Sequence, residues 1–248
     1  MKLKDFFMKY PKAAIAFSGG VDSSYLLYAA IQNGAQVKAY YVKSAFQPQF
    51  ELDDALRFVH ELNVPIKVLH VDILSSDFVA NNPADRCYYC KQMILTTILN
   101  AATEDGFSVF LDGTNASDDA GDRPGMRALR ELSVLSPLQQ CGLTKTEIRR
   151  LSQQAGLSTW DKPAYACLAT RFPCGETITK EGLKATEAAE SYLFSIGLTN
   201  FRVRWMGKVA KMQISADQMG TLLENRECIL TELKKYYSAV LLDLDARR

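Results

Sequence analysis

Two groups of residues in this chain have types and spacing suited to chemistry. The first is Ser18-Gly19-Gly20-Val21-Asp22-Ser23-Ser24. It follows Ala13-Ala14-Ile15-Ala16-Phe17, which reads as a buried strand, and a helix is expected to begin near Asp22. Glycine lets a backbone approach a ligand that a side chain would block. A fresh helix N-terminus adds unpaired N–H groups and a positive dipole end, so this turn is suited to an anion such as phosphate. Ser18, Ser23 and Ser24 add hydroxyls. The lysine of the G-x-x-x-x-G-K-[ST] loop is missing, which sets the turn apart from kinases and GTPases. A plain strand–helix turn capped by serines would need only Gly-Gly; the full string asks for more.

The second group is the cysteines. Cys87-Tyr88-Tyr89-Cys90, followed by Lys91, has the spacing of a metal pair or a redox pair. A single C-x-x-C is incomplete as a tetrahedral site. Cys167 and Cys174 can add thiols. Three thiolates on an iron–sulfur cluster would leave one iron open to carry an extra sulfide. Cys141, beside a glycine, and Cys228, inside an amphipathic helix, read as small buried hydrophobes.

Composition narrows the setting. The 248 residues carry 29 basic and 28 acidic side chains, a net charge of +1, so no basic footprint points to nucleic acid. An apolar content of 48% is enough for a real core. No apolar run reaches the ~18 residues of a membrane span. A charge interrupts the only apolar stretch near the N-terminus, Met1 to Phe7, so no secretory signal is expected. The expected location is cytoplasmic, where six cysteines argue against structural disulfides.

The elements that must position these residues alternate. Strands are expected at 13–17, 37–42, 65–71 and 109–111, with helices near Asp22, along the face Leu52, Ala55, Leu56, Val59 and Leu62, and from Lys91 to Ala102. That order predicts an α/β fold, a doubly wound parallel sheet covered on both faces. Asp112-Gly113-Thr114-Asn115 follows the fourth strand, at the carboxyl end that borders a ligand crevice in such sheets. Thr144-Lys145-Thr146-Glu147 has capping-box spacing and predicts a helix ending near Gly156. Trp160 to Thr179 has no clear period and reads as a long functional loop. The domain boundary is expected there, between 1–160 and a small C-terminal α+β domain, 161–248. In that domain Lys180 to Ile196 reads as a helix, with strands at 201–206, 209–214 and 240–244. Ser215 is a second capping-box candidate, for a helix running to about Tyr237.

Several strings together resemble one family. They are Phe17 to Ser23; Arg86-Cys87-Tyr88-Tyr89-Cys90-Lys91; Asp112 to Asp119 with Arg123-Pro124-Gly125; Ser136-Pro137-Leu138; Trp160-Asp161-Lys162-Pro163; Ala166 to Pro173; and Phe201-Arg202-Val203-Arg204. The first alone resembles the PP-loop of the N-type ATP pyrophosphatases (adenine nucleotide alpha hydrolase-like fold). The set resembles the ATP-dependent sacrificial sulfur transferase LarE family, from about Pro11 to Asp245.

The resemblance implies a role in making the nickel-pincer nucleotide cofactor of lactate racemase. ATP would adenylate a carboxylate of a pyridinium dicarboxylate mononucleotide, pyrophosphate would leave, and sulfur would enter to give a thiocarboxylate. Ser18, Gly19, Gly20, Ser23 and Ser24 would hold the pyrophosphate, and Asp22 would help to hold Mg²⁺. The sulfur comes either from a sacrificed cysteine or from a [4Fe-4S] cluster; with Cys87, Cys90 and Cys167 all present, the chain looks more like the cluster type. Homo-oligomers are expected, as the family forms them.

Arg171, Arg202 and Arg204 have guanidinium forks that match phosphate or carboxylate. Arg202 and Arg204 alternate with Phe201 and Val203, so they face one way. Gly113 and Thr114 would border the nucleotide. Asp118, Asp119 and Asp122 would bind Mg²⁺, position substrate, or form a solvated turn. Tyr40 and Tyr41 would stack adenine or pack the core. Glu187 and Glu190 are metal or phosphate candidates by resemblance only, and helical glutamates are usually solvated. Two positions depart from the family: Cys174 stands where an aromatic is expected, allowing a fourth thiolate or a relay, and Met206 where a histidine is expected. A tRNA-thiolating PP-loop enzyme, an amidating synthetase and a non-catalytic ATP-binding module are the competing readings.

Overall fold

The structure, a computed structural model, describes residues 1–118 and 124–247. The chain divides into two compact units. One contains Met1–Ile73 and Asp85–Tyr165, the other Leu74–Ala84 and Ala166–Arg248. In chain order the first unit opens with α1 (Leu3–Lys9), β1 (Lys12–Ala16), α2 (Val21–Gln32), β2 (Gln36–Lys43), α3 (Gln49–Glu61) and β3 (Ile66–His70). A short helix α4 (Asp77–Ala80) belongs to the second unit. The first unit resumes with α5 (Arg86–Glu104), β4 (Phe110–Leu111), α6 (Pro124–Glu131), α7 (Pro137–Gln140) and α8 (Lys145–Gln154). The second unit continues with α9 (Lys180–Ser195), β5 (Phe201–Met206), β6 (Val209–Ile214), α10 (Met219–Glu224), α11 (Arg226–Leu233) and β7 (Ala239–Leu242).

The first sheet runs β3-β2-β1-β4, with every pairing parallel. Side chains alternate across it. Ala13, Ile15, Ala39, Tyr41 and Leu111 face one way, into a core with Leu26 and Leu27 of α2 and Ala55, Phe58 and Val59 of α3. Leu26 and Leu27 are fully buried, and each contributes about 2 kcal/mol by leaving water. Ala14, Tyr40 and Val42 face the other way, onto Ile98, Ala101 and Ala102 of α5. Both faces are covered, as a parallel sheet requires, and the doubly wound expectation holds. Leu56 corrects the predicted apolar face of α3. It is exposed, while Phe58 lies inside.

Tyr40 and Tyr41 are core residues, 0% and 1% exposed. The Tyr40 hydroxyl donates to Asp105 (2.7 Å), which also pairs with Lys38 (2.7 Å) and Lys67 (3.2 Å). Burial raises the Tyr40 pKa, and the Asp105 bond adds to it. The Lys38, Tyr40 and Lys67 donors hold Asp105 well below the usual carboxylate range. A carboxylate with a depressed folded pKa stabilises above its unfolded pKa, about 3.9, and the contribution fades as pH falls through the folded value. Asp105→Asn is therefore expected to lower stability at pH 7, with the gap to wild type closing below about pH 4. Urea midpoints at pH 7 and pH 3 measure this, and a pH-independent gap would contradict it.

The second unit is built on a sheet ordered β5-β6-β7, antiparallel then parallel. Phe201, Val203, Trp205, Ala210, Met212 and Ile214 form its buried face, and α9 packs on β5. The Trp205 ring lies between Phe172 and Tyr237, with centroids 5.6 Å away on each side. Burial pushes the Tyr237 hydroxyl up to about 12. Two expectations are corrected here. Ser215 precedes a 3-10 turn, Ala216–Gln218, and its hydroxyl is buried without a partner among the described residues. The helix expected to run to Tyr237 divides at Asn225 (φ −93°, ψ 10°), where the side-chain amide and the backbone N–H both donate to the Thr221 carbonyl.

Candidate active site

β1 delivers Ser18, Gly19 and Gly20 to the start of α2, with Gly20 at its N-cap. Gly19 has φ +72°, a left-handed conformation that favours glycine. A Cβ there would also come within 3.0 Å of the Ala55 Cβ on α3. The turn is internally knitted. The Ser23 hydroxyl donates to the Gly20 carbonyl (3.1 Å) and accepts the Ser18 N–H (3.3 Å), while the Ser18 hydroxyl lies 3.1 Å from it. The Ser24 hydroxyl is buried with no partner among the described residues.

The end of β4 abuts this turn. At Gly113 a Cβ would fall 2.8 Å from the Ser23 nitrogen and 3.0 Å from its Cα, so only glycine fits against the backbone of α2. Asp112, 7% exposed, anchors the surrounding loop. It accepts the Thr114 hydroxyl (2.5 Å) and the Ser136 hydroxyl (2.6 Å), and Lys91 stands 3.7 Å away. The Thr114 hydroxyl is thus engaged with Asp112. Asp118 accepts the Asn115 N–H (3.0 Å), closing a turn. Asp119, Asp122 and Arg123 lie outside the described residues.

Sequence reasoning missed Lys145. Its ammonium sits 2.5 Å from Asp22 Oδ2, and its own N–H donates to Ser117 (2.9 Å). Residues 144–147 form the predicted capping box, with the Glu147 N–H on the Thr144 hydroxyl and the Thr144 N–H on the Glu147 carboxylate. The available signal was electrostatic. A cation in the first turn of a helix opposes the dipole, so Lys145 needed an anion elsewhere. The second oxygen, Asp22 Oδ1, is buried with no hydrogen-bond partner among the described residues. An orphaned carboxylate oxygen beside a phosphate-ready turn fits a hard, oxygen-seeking cation such as Mg²⁺.

Cys87 and Cys90 stand one turn apart in the first turns of α5, Cys87 exposed and Cys90 half-buried. Arg86 Nη2 lies 3.8 Å from Cys87 Sγ. Among the described residues none of the six cysteines is in a disulfide. Cys141 is half-buried against the core, and burial pushes its thiol up. Cys228 is exposed, which corrects its reading as a buried hydrophobe. Among the described residues no group of three or more His, Cys, Asp or Glu stands ready to hold a metal ion.

In the second unit Cys167 caps a 3-10 turn, Leu168–Arg171. Its carbonyl accepts the Thr170 N–H (3.0 Å), the Thr170 hydroxyl (2.8 Å) and Arg171 Nη1 (3.2 Å). Arg171 is 0% exposed and meets Glu190 through two parallel bonds, Nε–Oε1 at 2.9 Å and Nη2–Oε2 at 2.8 Å. Glu190 also accepts the Val203 N–H (2.9 Å) at the free edge of β5. Glu190 is therefore a buried ion-pair partner, not a solvated helical glutamate; Glu187 is half-buried. Arg202 and Arg204 share the second face of β5. Arg202 bonds the Phe201 carbonyl (2.7 Å), and Arg204 bonds Gln213 (2.8 Å) and the Thr170 carbonyl. Burial, with Arg171 and Arg247 nearby, lowers the Arg204 pKa. Cys174 is exposed, its thiol 3.6 Å from the Asn82 carbonyl.

The sequence resembles several known proteins. Residues 12–82 match the family model of the queuosine biosynthesis protein QueC. The tRNA-specific 2-thiouridylase MnmA of Thermotoga petrophila is 23% identical over 188 residues, 59% of this chain and 52% of that protein. An uncharacterized protein of Synechocystis sp. is 34% identical over 227 residues, 90% of this chain and 84% of its own. The pyridinium-3,5-bisthiocarboxylic acid mononucleotide synthase of Lactiplantibacillus plantarum is 32% identical over 240 residues, 96% of this chain and 87% of its own. With that likeness running through both units, the chain belongs to the family of the pyridinium-3,5-bisthiocarboxylic acid mononucleotide synthase, LarE.

Proposed function

We propose that this chain is an ATP-dependent sulfurtransferase acting on a pyridinium dicarboxylate mononucleotide, toward the bisthiocarboxylic acid named in its relative. The observation that carries this reading is the Ser18–Ser24 turn at the mouth of α2, in a chain matched across both units to that synthase. A carboxylate is a poor electrophile because oxide is a poor leaving group. Its oxygen attacks the α-phosphorus of ATP, the bond to the β-phosphate oxygen breaks, and pyrophosphate leaves into the N–H groups of the turn. A sulfur nucleophile then attacks the acyl carbon, and AMP departs with the former carboxylate oxygen. Thiolates are strong nucleophiles at neutral pH.

Residues 1–160 supply the nucleotide site in this reading, and 161–248 the substrate and sulfur side. Ser18, Gly19, Gly20, Ser23 and Ser24 hold the phosphates; Gly113 and Thr114 shape the border. Asp22, with its unpartnered Oδ1, would hold Mg²⁺. Arg202 and Arg204 meet the substrate anions, while Arg171 positions the Cys167 peptide. By the family resemblance, Cys87, Cys90 and Cys167 are the cysteines that would hold a [4Fe-4S] cluster. Such a cluster, when bound, supplies a sulfide from its open iron. Where Cys167 is sacrificed instead, its thiolate forms a thioester with the acyl group. Loss of the Cα proton to a base and cleavage of the Cβ–S bond then leave dehydroalanine and the thiocarboxylate. Cys174 would add a fourth thiolate or a relay. The protein works in the cytoplasm as a homo-oligomer.

Anaerobic purification, iron and sulfide analysis and intact mass after turnover test this. A brown protein of unchanged mass supports the cluster, and a loss of about 34 Da at Cys167 supports sacrifice, an elimination distinct from thiol oxidation. Cys167→Ala is expected to retain pyrophosphate release and to lose thiocarboxylate product. No pyrophosphate release from ATP and the dicarboxylate would overturn the proposal. Salt-dependent tRNA binding would favour the thiouridylase reading instead.

A further inference from the structure

We infer that Lys145 is the resident counter-cation of Asp22, and that it keeps the metal site closed until a nucleotide arrives. The inference rests on the proposed ATP site. Asp22 has two oxygens in different states. Oδ2 carries the Lys145 ammonium at 2.5 Å, and Oδ1 is buried and unpartnered. A divalent ion seeking Oδ1 meets a carboxylate whose charge is already compensated, with a like charge one carboxylate away. Opposite charge is the main attraction of a single carboxylate for such an ion, so Lys145 weakens metal binding in the empty site. The position of Lys145 is fixed at its base. Its N–H is held by Ser117, and the capping box at Thr144 and Glu147 fixes the start of α8. The side chain is free to swing at its tip, with its atoms 36% exposed.

Nucleotide phosphates bound at the Ser18–Ser24 turn offer that ammonium a denser anion than Asp22. Once Lys145 turns to them, both Asp22 oxygens face the metal. Lys145 is thus a positioning residue that couples the metal to the nucleotide: each binds weakly alone and tightly together. The coupling also follows from linkage, since whatever frees Asp22 for the metal is itself favoured by the metal.

The test is Mn²⁺ binding to the full-length protein, measured by electron paramagnetic resonance. In nucleotide-free protein Lys145→Met is expected to tighten Mn²⁺ about five-fold, the worth of one partly exposed ion pair. Lys145→Arg, which keeps the charge, is expected to stay near wild type, and Asp22→Asn to lose the site. A non-hydrolysable ATP analogue is expected to tighten Mn²⁺ in wild type and to do so much less in Lys145→Met. Lys145→Gln replaces Lys145→Met if the methionine variant does not fold. Unchanged or weaker Mn²⁺ binding without the lysine overturns the inference, as does a site that survives Asp22→Asn. These readouts need no sulfur chemistry. A protein that shows this pattern and releases no pyrophosphate sinks the functional reading and leaves the lysine's role standing.

Discussion

Glu190→Ala is expected to destabilise the second unit by about 3–5 kcal/mol, the range for leaving one buried charge without its partner. Arg171 and Glu190 are 0% and 1% exposed, and beside their two parallel bonds Arg171 Nη1 donates to the Ala166 and Cys167 carbonyls and the Thr170 hydroxyl. Removing the carboxylate strands Arg171 in a dry site and unpins the Val203 N–H at the edge of β5. The Cys167 carbonyl, held by Arg171 and Thr170, then loses one of its clamps. Replacing both partners at once, Arg171→Met with Glu190→Leu, is expected to cost less than Glu190→Ala alone, because no orphaned charge remains. Urea denaturation of the three proteins decides the matter. A Glu190→Ala loss below about 1 kcal/mol would show that water reaches the pair.

Gly113→Ala carries the second large effect, on ATP and not on folding. The added methyl would fall 2.8 Å from the Ser23 nitrogen, and the contact is backbone, which cannot swing aside as a long side chain does. The first turn of α2 must shift, and with it the N–H groups that hold the phosphates in the proposed site. Displacements near 1 Å at a binding constellation cost on the order of 100-fold, so ATP affinity is expected to fall by about that factor. Gly125→Ala is the control. Its Cβ would meet only the flexible Lys91 Cδ at 3.3 Å. Calorimetry on both variants is the measurement, and Gly113→Ala binding ATP within threefold of wild type would show that the loop relaxes away.

Much of this was legible in the chain because short-range rules govern it. The strand before Ser18, the capping box at Thr144 and both strands of the β5–β6 hairpin follow from periodicity and spacing, and the structure places them at or within a residue or two of the expected positions. What escaped depends on partners distant in sequence. Lys145 pairs with Asp22 across 123 positions, and no local pattern announces that. Glu190 looks like any helical glutamate until Arg171 is folded against it. The Gly113 requirement comes from a backbone in another element, not from its own φ. The division of the last helix at Asn225 interrupts a segment that the apolar spacing alone would continue; there the side-chain amide and the backbone N–H share the Thr221 carbonyl.

The second unit takes in residues 74–84 from the middle of the first unit's sequence. Those residues are bound to the later chain by specific bonds. The Ala80 carbonyl accepts the Ile178 N–H (2.7 Å), the Asn82 carbonyl accepts the Gly175 N–H (2.8 Å), and the Asn82 amide donates to Pro173 (2.6 Å). On the ribosome, residues 74–84 emerge some ninety positions before their partners, an interval of about 5–20 seconds at ordinary synthesis rates. Throughout that time the Ile178, Gly175 and Pro173 groups that bond residues 80 and 82 are not yet made, so the nascent first unit must carry an open loop. A gene cut after Tyr165 would likewise give a second half lacking a piece of its own fold, and co-expression of residues 166–248 with the first half, not alone, is the way to recover it.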